Sequence, residues 1–354
     1  MSPARDTAFR ILQRVHGGGY AADLVLRESA DLDARDAALA EALVFGCLRF
    51  QAQLDYLIEV FSGRSQPKLD EEVRIALRLG IYQLRYLDRI PAHAAVTESV
   101  ELVKRAHKRS AAGFVNAVLR KVHRRPVQWP DPAVELSIPN WMLERWQHHY
   151  GEERAAAIAR AALVEPETPV NPDTGRAQDT GARFIVPLLE IEPGTWVLDL
   201  CAAPGNKTAQ ALAAGGRVVA CDRALRRLKG VPASALRVVL DAAAPLPFSM
   251  TFDRILVDAP CTGTGTLARN PEIKWRLRLT DIEGLAGLQR SILANALEHL
   301  RPGGRLVYST CSLEPEENEA VVANYKVLSA HHRLPGCDPD QKGDGFFAAV
   351  IAKE

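Results

Sequence analysis

An all-α domain followed by an α/β domain with a parallel sheet is the fold this 354-residue sequence predicts. Three observations lead there. Residues 1–127 carry apolar positions at helical spacing and show no strand-like alternation. From residue 184 onward, short β-rich runs alternate with helical ones, the pattern of a parallel sheet covered by helices on both faces. A proline-rich stretch, "RRPVQWPDPAVELSIPN", marks the change between the two regimes.

Taken in order, Leu69, Val73, Ala76, Leu77, Gly80, Leu84 and Leu87 lie on one helical face. A second helix follows Ile90-Pro91, with Val96, Val100 and Val103 in register, and "GFVNAVLRKV" repeats the pattern with Phe114, Val118 and Val122. Residues 128–183 are read as a linker, one bridging helix ("WMLERWQHHYGEERAAAIARAAL") and a short region before the second domain, 184–354. There the strands are "TWVLDL", "RVVACD", "LRVVLD", "FDRILVDAP" and "GRLVYSTC", with helices such as "DIEGLAGLQRSILANALEHL" between them. Their near-continuous apolar character fits burial on both faces. After Cys311, a helix is expected to begin near Pro315.

Composition excludes several classes. With 47% hydrophobic and 25% charged residues, the chain reads as globular. It has no apolar run long enough to span a membrane and no secretory leader pattern at its start, so a cytoplasmic protein is expected. Net charge is +1, which gives no global field toward nucleic acid, yet Lys104 to Arg125 holds eight Lys or Arg and no acid. That cluster is read as a phosphate-binding face, against the alternative of a solvated helix surface. The six cysteines form no CxxC pair, so neither zinc nor a disulfide framework is expected.

In open α/β sheets, ligands bind at the carboxyl ends of the strands. Here those ends carry Asp199, Asp222, Asp241, Asp258 and Cys311. A lone Asp in such a place is as often a turn residue or cap, but five polar ends on five strands are harder to dismiss. The first turn, "DLCAAPGNKT", has small residues and Gly205 that let backbone approach a ligand. It matches neither the dinucleotide fingerprint nor the phosphate loop of nucleotide hydrolases. With Asp222 placed to accept ribose hydroxyls, this suits a nucleoside cofactor without phosphates. Cys261, after Pro260, and Cys311 form a candidate two-thiol site.

At these residues a family resemblance emerges. "VLDLCAAPGNKT", "VDAPCTGTGTLARNPEIKW" and "YSTCSLEPEEN" resemble the signature segments of RNA 5-methylcytosine methyltransferases. "LRLGIYQLRYLDRIPAHAAVTESVEL" and "FVNAVLRKV" resemble the NusB-like RNA-binding domain. Together they are similar to the bacterial 16S rRNA cytosine methyltransferases of RsmB type, over nearly the whole chain. The resemblance implies a NusB-like domain followed by a Rossmann-like domain that uses S-adenosylmethionine to methylate carbon 5 of a cytosine in 16S rRNA. It implies Cys311 as nucleophile, Cys261 in release of the methylated base, Asp258 on the cytosine edge, and Lys207 lining the same site. Cofactor contacts carry over to Cys201, Ala202, Ala203, Pro204, Gly205, Asn206 and Lys207, and to Asp222 (ribose), Asp241 (adenine side) and Asp258. Cys201 is given no reactivity, and Cys47, Cys221 and Cys337 are read as packing residues. The implied partner is free or early-assembly 16S rRNA, with no membrane and a monomeric protein.

Two departures from the family pattern stand out. Asn206 replaces a glycine, and because Asn tolerates left-handed backbone, weaker or altered cofactor binding is the most it predicts. The small subdomain usual before the first catalytic strand is nearly absent, with "AQDTGA" resembling its end, which bears on RNA positioning. Two other readings are therefore kept: a weakly active or inactive RNA-binding or ribosome-assembly factor, and methylation of another nucleic acid. In a DNA cytosine methyltransferase, Cys261 rather than Cys311 would be the nucleophile.

Overall fold

The computed structural model describes residues 2–64, 68–338 and 342–353. The chain divides into two compact units, 1–164 with 268–276, and 165–267 with 277–354.

The first unit is helical. Its long elements are α1 (Pro3–His16), α2 (Ala21–Glu28), α3 (Ala34–Arg49), α4 (Gln51–Ser62), α5 (Glu71–Tyr86), α6 (Ala92–Arg105) and α7 (Ala112–Leu119), followed by the short α8 (Pro132–Glu135). The apolar stripes read from the sequence meet in one core that includes Leu43, Leu54, Leu57, Ile58, Ile75, Leu77, Val103 and Val118. Helix α3 can lie close to α5 because residue 46 is glycine. A Cβ there would sit 2.0 Å from the Tyr82 ring. The bridging helix expected from the sequence is in fact two helices, α9 (Asn140–Tyr150) and α10 (Glu152–Ala161). They are broken at Gly151, whose φ of 83° ends one and starts the other.

Residues 268–276 complete this unit. Ala21 N–H donates to Glu272 Oε1 at 3.1 Å, and Trp275 Nε1 donates to the Leu48 carbonyl at 2.7 Å. Lys274, fully buried, donates through Nζ to the carbonyls of Arg49 (2.9 Å) and Ser137 (2.7 Å). Desolvation, with Arg49 adding to it, pushes the Lys274 pKa down to about 7.

The second unit is a seven-stranded sheet: β1 (Trp196–Leu200), β2 (Arg217–Asp222), β3 (Leu236–Val239), β4 (Phe252–Asp258), β5 (Leu300–Thr310), β6 (Val327–Arg333) and β7 (Phe346–Ala352). The order is β3-β2-β1-β4-β5-β7-β6. The unit's helices are α11 (Thr180–Arg183), α12 (Asn206–Ala213), α13 (Leu225–Leu228), α15 (Leu279–Glu298) and α16 (Glu319–Val322), while α14 (Ile273–Arg276) belongs to the first unit. The five strands read from the sequence are parallel, whereas β7 runs antiparallel to both β5 and β6. The last two strands thus correct the expected all-parallel sheet to a mixed one. Alternate residues feed two cores, as strand pleating requires. Leu198, Val257 and Tyr308 pack on one side with Ile292, Leu293 and Ala296 of α15 (Leu279–Glu298). On the other side Val197, Leu256 and Val307 pack with Ile185, Leu189 and Ala211. Ala211 belongs to α12 (Asn206–Ala213), which follows β1. The helix expected near Pro315 begins later, as α16 (Glu319–Val322), after a turn over 315–318.

Candidate active site

Strand order reverses between β1 and β4, so the crevice beyond their carboxyl ends is where this topology places a ligand. Asp258 ends β4, and Cys311 directly follows β5. The loops after these two adjacent strands bring Cys261 and Cys311 together, with sulfurs 3.3 Å apart. Both thiols are partly exposed, while the next residue of each loop, Thr262 and Ser312, is buried. The hydrogen bond with Cys311, followed by desolvation, raises the Cys261 pKa well above a free thiol's. Cys261 is therefore held as a neutral thiol beside its partner.

Asp258 is held from two sides. Lys207 Nζ donates to its Oδ2 at 2.7 Å, and Ser309 Oγ donates to its Oδ1 at 2.9 Å. Desolvation works against the Lys207 charge, but Asp258 outweighs it by charge and by hydrogen bond, Cys311 adds to it, and the Lys207 pKa is raised. A fixed cation thus sits where negative charge on a thiol or a base would be stabilised.

Glu317 was not among the residues singled out from the sequence. It is completely buried, and its carboxylate accepts from Thr262 N–H at 2.9 Å, Thr262 Oγ1 at 2.5 Å, Gln289 Nε2 at 2.9 Å and the Ser312 hydroxyl. Its own carbonyl accepts from Tyr308 Oη at 2.6 Å. One carboxylate therefore ties together the residues that follow both cysteines. Desolvation raises its pKa, against the hydrogen bonds from Ser312, Thr262 and Gln289 that favour the charge.

The loop Cys201–Lys207 turns tightly between β1 and α12. Cys201 (φ 63°) and Gly205 (φ 101°) are both left-handed, and a Cβ on Gly205 would lie 2.6 Å from Val231 Cα. Ala202 and Ala203 are buried, and Pro204 is exposed after a cis bond. Burial pushes the Cys201 thiol up to about 12, in keeping with no reactive role. The left-handed backbone considered for Asn206 lies one residue earlier. Asn206 is the first residue of α12 and not left-handed, the left-handed position being Gly205. Its side chain donates to the Ala177 carbonyl at 3.0 Å and accepts from Arg176 Nε at 2.7 Å. Arg176 also donates to the carbonyls of Pro204 (3.0 Å) and Gly230 (3.1 Å). The short segment before the sheet, reduced as it is, braces this loop.

A nucleoside cofactor that bears cationic sulfur and no phosphate fits these groups. The loop's one lysine, Lys207, is committed to Asp258. Carboxylates stand at or near the ends of four strands. Asp199 is buried, with Oδ2 accepting from Thr208 Oγ1 and Oδ1 without a partner. Desolvation raises its pKa to about 7. Asp222 is buried at the end of β2, accepts from Ala224 N–H at 2.9 Å and faces Arg227 at 3.4 Å. Asp241 is exposed two residues beyond β3 and accepts from Ala243 N–H at 3.0 Å. Cys47 and Cys221 are buried packing residues, as expected, whereas Cys337 is only half-buried.

Known proteins bear on this site directly. The family described as 16S rRNA methyltransferase RsmB/F matches residues 186–342, and the NusB family matches residues 2–124. Ribosomal RNA small subunit methyltransferase B of Vibrio cholerae is 34% identical over 392 residues, covering 90% of each chain. The chain belongs to this methyltransferase family. The Yersinia pseudotuberculosis member is 32% identical over an alignment of 423 residues that takes in 99% of this chain and 98% of that one. That alignment is longer than the chain's own 354 residues, so the relative carries segments this family member lacks. Among solved structures, the crystal structure of PH0851 shares the fold (TM-score 0.78, 20% identity, 100% and 99% of the two chains). A methyltransferase homologue from Pyrococcus horikoshii matches with TM-score 0.53 and 27% identity, over 64% of this chain and 100% of that one.

The basic segment 104–125 is less bare than its sequence suggests. Lys104 pairs with Glu101, Arg105 with Asp6, Lys108 with Asp70 and Glu72, and Arg124 with Asp88. Half of its eight cations thus already face carboxylates, which weakens the single-signed field read from the sequence.

Proposed function

We propose that this chain transfers a methyl group from S-adenosylmethionine to carbon 5 of a cytosine in 16S rRNA, through a covalent bond between Cys311 and the base. The observation that carries the reading is the pair of thiols 3.3 Å apart beside the Lys207–Asp258 pair, at the strand ends where the sheet order reverses. Family membership supplies the substrate class.

Carbon 5 of cytosine is a poor nucleophile. The Cys311 sulfur adds its electron pair to carbon 6, and the ring electrons move to carbon 5, making an enamine. Asp258 holds the cytosine edge and shares a proton with it, offsetting the charge that develops, while Lys207 fixes the Asp258 carboxylate. Bound S-adenosylmethionine supplies the electrophilic methyl group. A base then takes the proton from carbon 5, the electrons of that C–H bond re-form the 5,6 double bond, the carbon 6–sulfur bond breaks and its pair goes back to sulfur. Cys261 assists this release. To reach these groups the base has to leave its stack. Asp222 would hold the cofactor ribose and Asp241 its adenine side. The substrate is read as free or early-assembly rRNA, and the protein as a monomer.

The test is incubation of the purified protein with methyl-labelled cofactor and unmodified 16S rRNA, beside Cys311→Ala and Cys261→Ala. Label at a cytosine, lost in Cys311→Ala, with a stalled protein–RNA adduct in Cys261→Ala, is expected. An adduct carried by Cys261 would overturn the assignment of the nucleophile. No label, with cofactor and RNA still bound, would favour an inactive RNA-binding factor.

A further inference from the structure

The helical unit contains an open cleft of about 450 Å³ lined by α4, α5, α8, α10 and the segment between α7 and α8. Its volume lies within the roughly 300–1,000 Å³ of small-ligand sites. Three guanidiniums line it, from Arg85, Arg124 and Arg160, against one carboxylate, Glu135. Two of its aromatic rings are Tyr86 and Trp129.

The floor of the cleft is rigid. Tyr86 stacks on Phe50 with centroids 4.7 Å apart and donates from its hydroxyl to Gln53 Oε1 at 2.6 Å. Gln53, itself buried, donates through Nε2 to the Glu135 carbonyl at 2.5 Å. The arginines differ in commitment. Arg124 is spent on the wall, donating to the Leu84 and Leu87 carbonyls and pairing with Asp88. Arg85 donates one N–H to the His123 carbonyl at 2.6 Å and also hydrogen-bonds the Tyr86 hydroxyl. Arg160 is exposed, and its guanidinium makes no hydrogen bond or ion pair among the described residues. An available guanidinium, a second one held in place on the cleft wall and a half-exposed indole around a polar floor are what a phosphate with an attached base requires.

We propose that this cleft is a second RNA subsite, remote in sequence from the catalytic residues. It takes one unpaired nucleotide, with the phosphate on Arg160 and Arg85 and the base against Trp129. The proposal rests on RNA being the substrate, and it moves the main RNA contact of the helical unit from the charge-paired segment 104–125 to the cleft.

The test compares wild type, Arg160→Glu and Arg85→Ala/Arg160→Ala in the full chain. KM for 16S rRNA, kcat, cofactor affinity and direct binding of a single-stranded RNA oligonucleotide are measured across a salt series. Losing the one single-strand phosphate that the two arginines neutralise should lower the log–log salt slope by about 0.7. KM and oligonucleotide Kd should rise about tenfold or more, with kcat, cofactor affinity and melting temperature unchanged. Inorganic phosphate competing with the oligonucleotide at equal concentration would reduce the site to an anion site and overturn the nucleotide assignment. Unchanged KM, Kd and salt slope in both variants would overturn the subsite altogether. Oligonucleotide binding is read without turnover, so a failure of the methyl-transfer reading leaves this result separately interpretable.

Discussion

Glu317 offers the sharpest perturbation of the active site, because it touches no reacting atom yet holds both cysteine loops. In Glu317→Ala four donors lose their acceptor. The hydroxyls of Thr262 and Ser312 lie 3.1 Å apart and can satisfy each other. The Thr262 backbone N–H loses its acceptor, and the Gln289 amide keeps its bond to the Pro260 carbonyl but has one N–H stranded. At about 1–3 kcal/mol for each stranded buried donor, the variant loses roughly 2–6 kcal/mol, visible as a lower melting temperature. Glu317→Gln behaves differently. Its carbonyl oxygen still accepts from the two N–H groups, and its amide donates to the two hydroxyls, which can turn to accept. Only the charge is lost, and charge-assisted hydrogen bonds are about twice as strong as neutral ones. A looser pairing of the cysteines worth about 1.4 kcal/mol in the transition state is a tenfold loss of kcat. The expected order of kcat is therefore wild type, then Gln about tenfold down, then Ala lower still, with KM for cofactor unchanged in the Gln variant. The assay is single-turnover methylation, with the rate of covalent trapping on 5-fluorocytosine RNA read in parallel. A Glu317→Ala protein that melts and traps at the wild-type rate would refute the reasoning.

Two further perturbations concern Asp199 on β1 and Asn206 at the Cys201–Lys207 loop. Asp199 holds a proton in the folded state from its ordinary pKa of 3.8 up to about 7, where the unfolded chain does not. Its contribution to stability is fully present below the lower value and is lost as pH rises through about 7, at up to roughly 1.4 kcal/mol per pH unit. Asp199→Asn should remove that slope, so between about pH 5 and about pH 8 the wild type loses melting temperature relative to the variant; parallel curves would sink the assignment. Asn206→Gly restores the family's glycine but cuts the ties to Arg176 and Ala177. KM for the cofactor should rise several-fold with kcat little changed, and a tighter KM would show that the asparagine is a handicap.

What could be read in the sequence follows from what each residue is surrounded by. Strands β1, β2, β4 and β5 are buried on both faces, so their apolar runs stand out without any knowledge of neighbours. Strand β6, "VLSAHHR", is an edge strand with alternating exposed and half-exposed positions, and its histidines and serine give no core signal. The "FFAAVIA" of β7 is an apolar run, but nothing in its own residues says that it runs antiparallel to β5 and β6. The two thiols were legible because strand ends are where ligands bind. Glu317 was not, since an acid inside "LEPEENE" looks solvated, and only the Thr and Ser beside the cysteines hint at a buried acceptor. Asn206 was not legible either, for a related reason. Its partner Arg176 lies 30 residues away, across a segment that looks merely truncated.

The residues 268–276 set a limit on how this protein can be taken apart. One signature segment, "DAPCTGTGTLARNPEIKW", serves two bodies: its first half lines the thiol site, and its second half fills the helical unit. A fragment ending at residue 164 would therefore lack Lys274, Trp275 and Glu272, and would expose the Leu48, Arg49 and Ser137 carbonyls and the Ala21 N–H that they satisfy. The helical unit here is not a free-standing module that could be borrowed whole from a solitary relative or grafted onto another enzyme by a single cut. Any exchange has to carry a nine-residue insert from deep within the other unit's sequence.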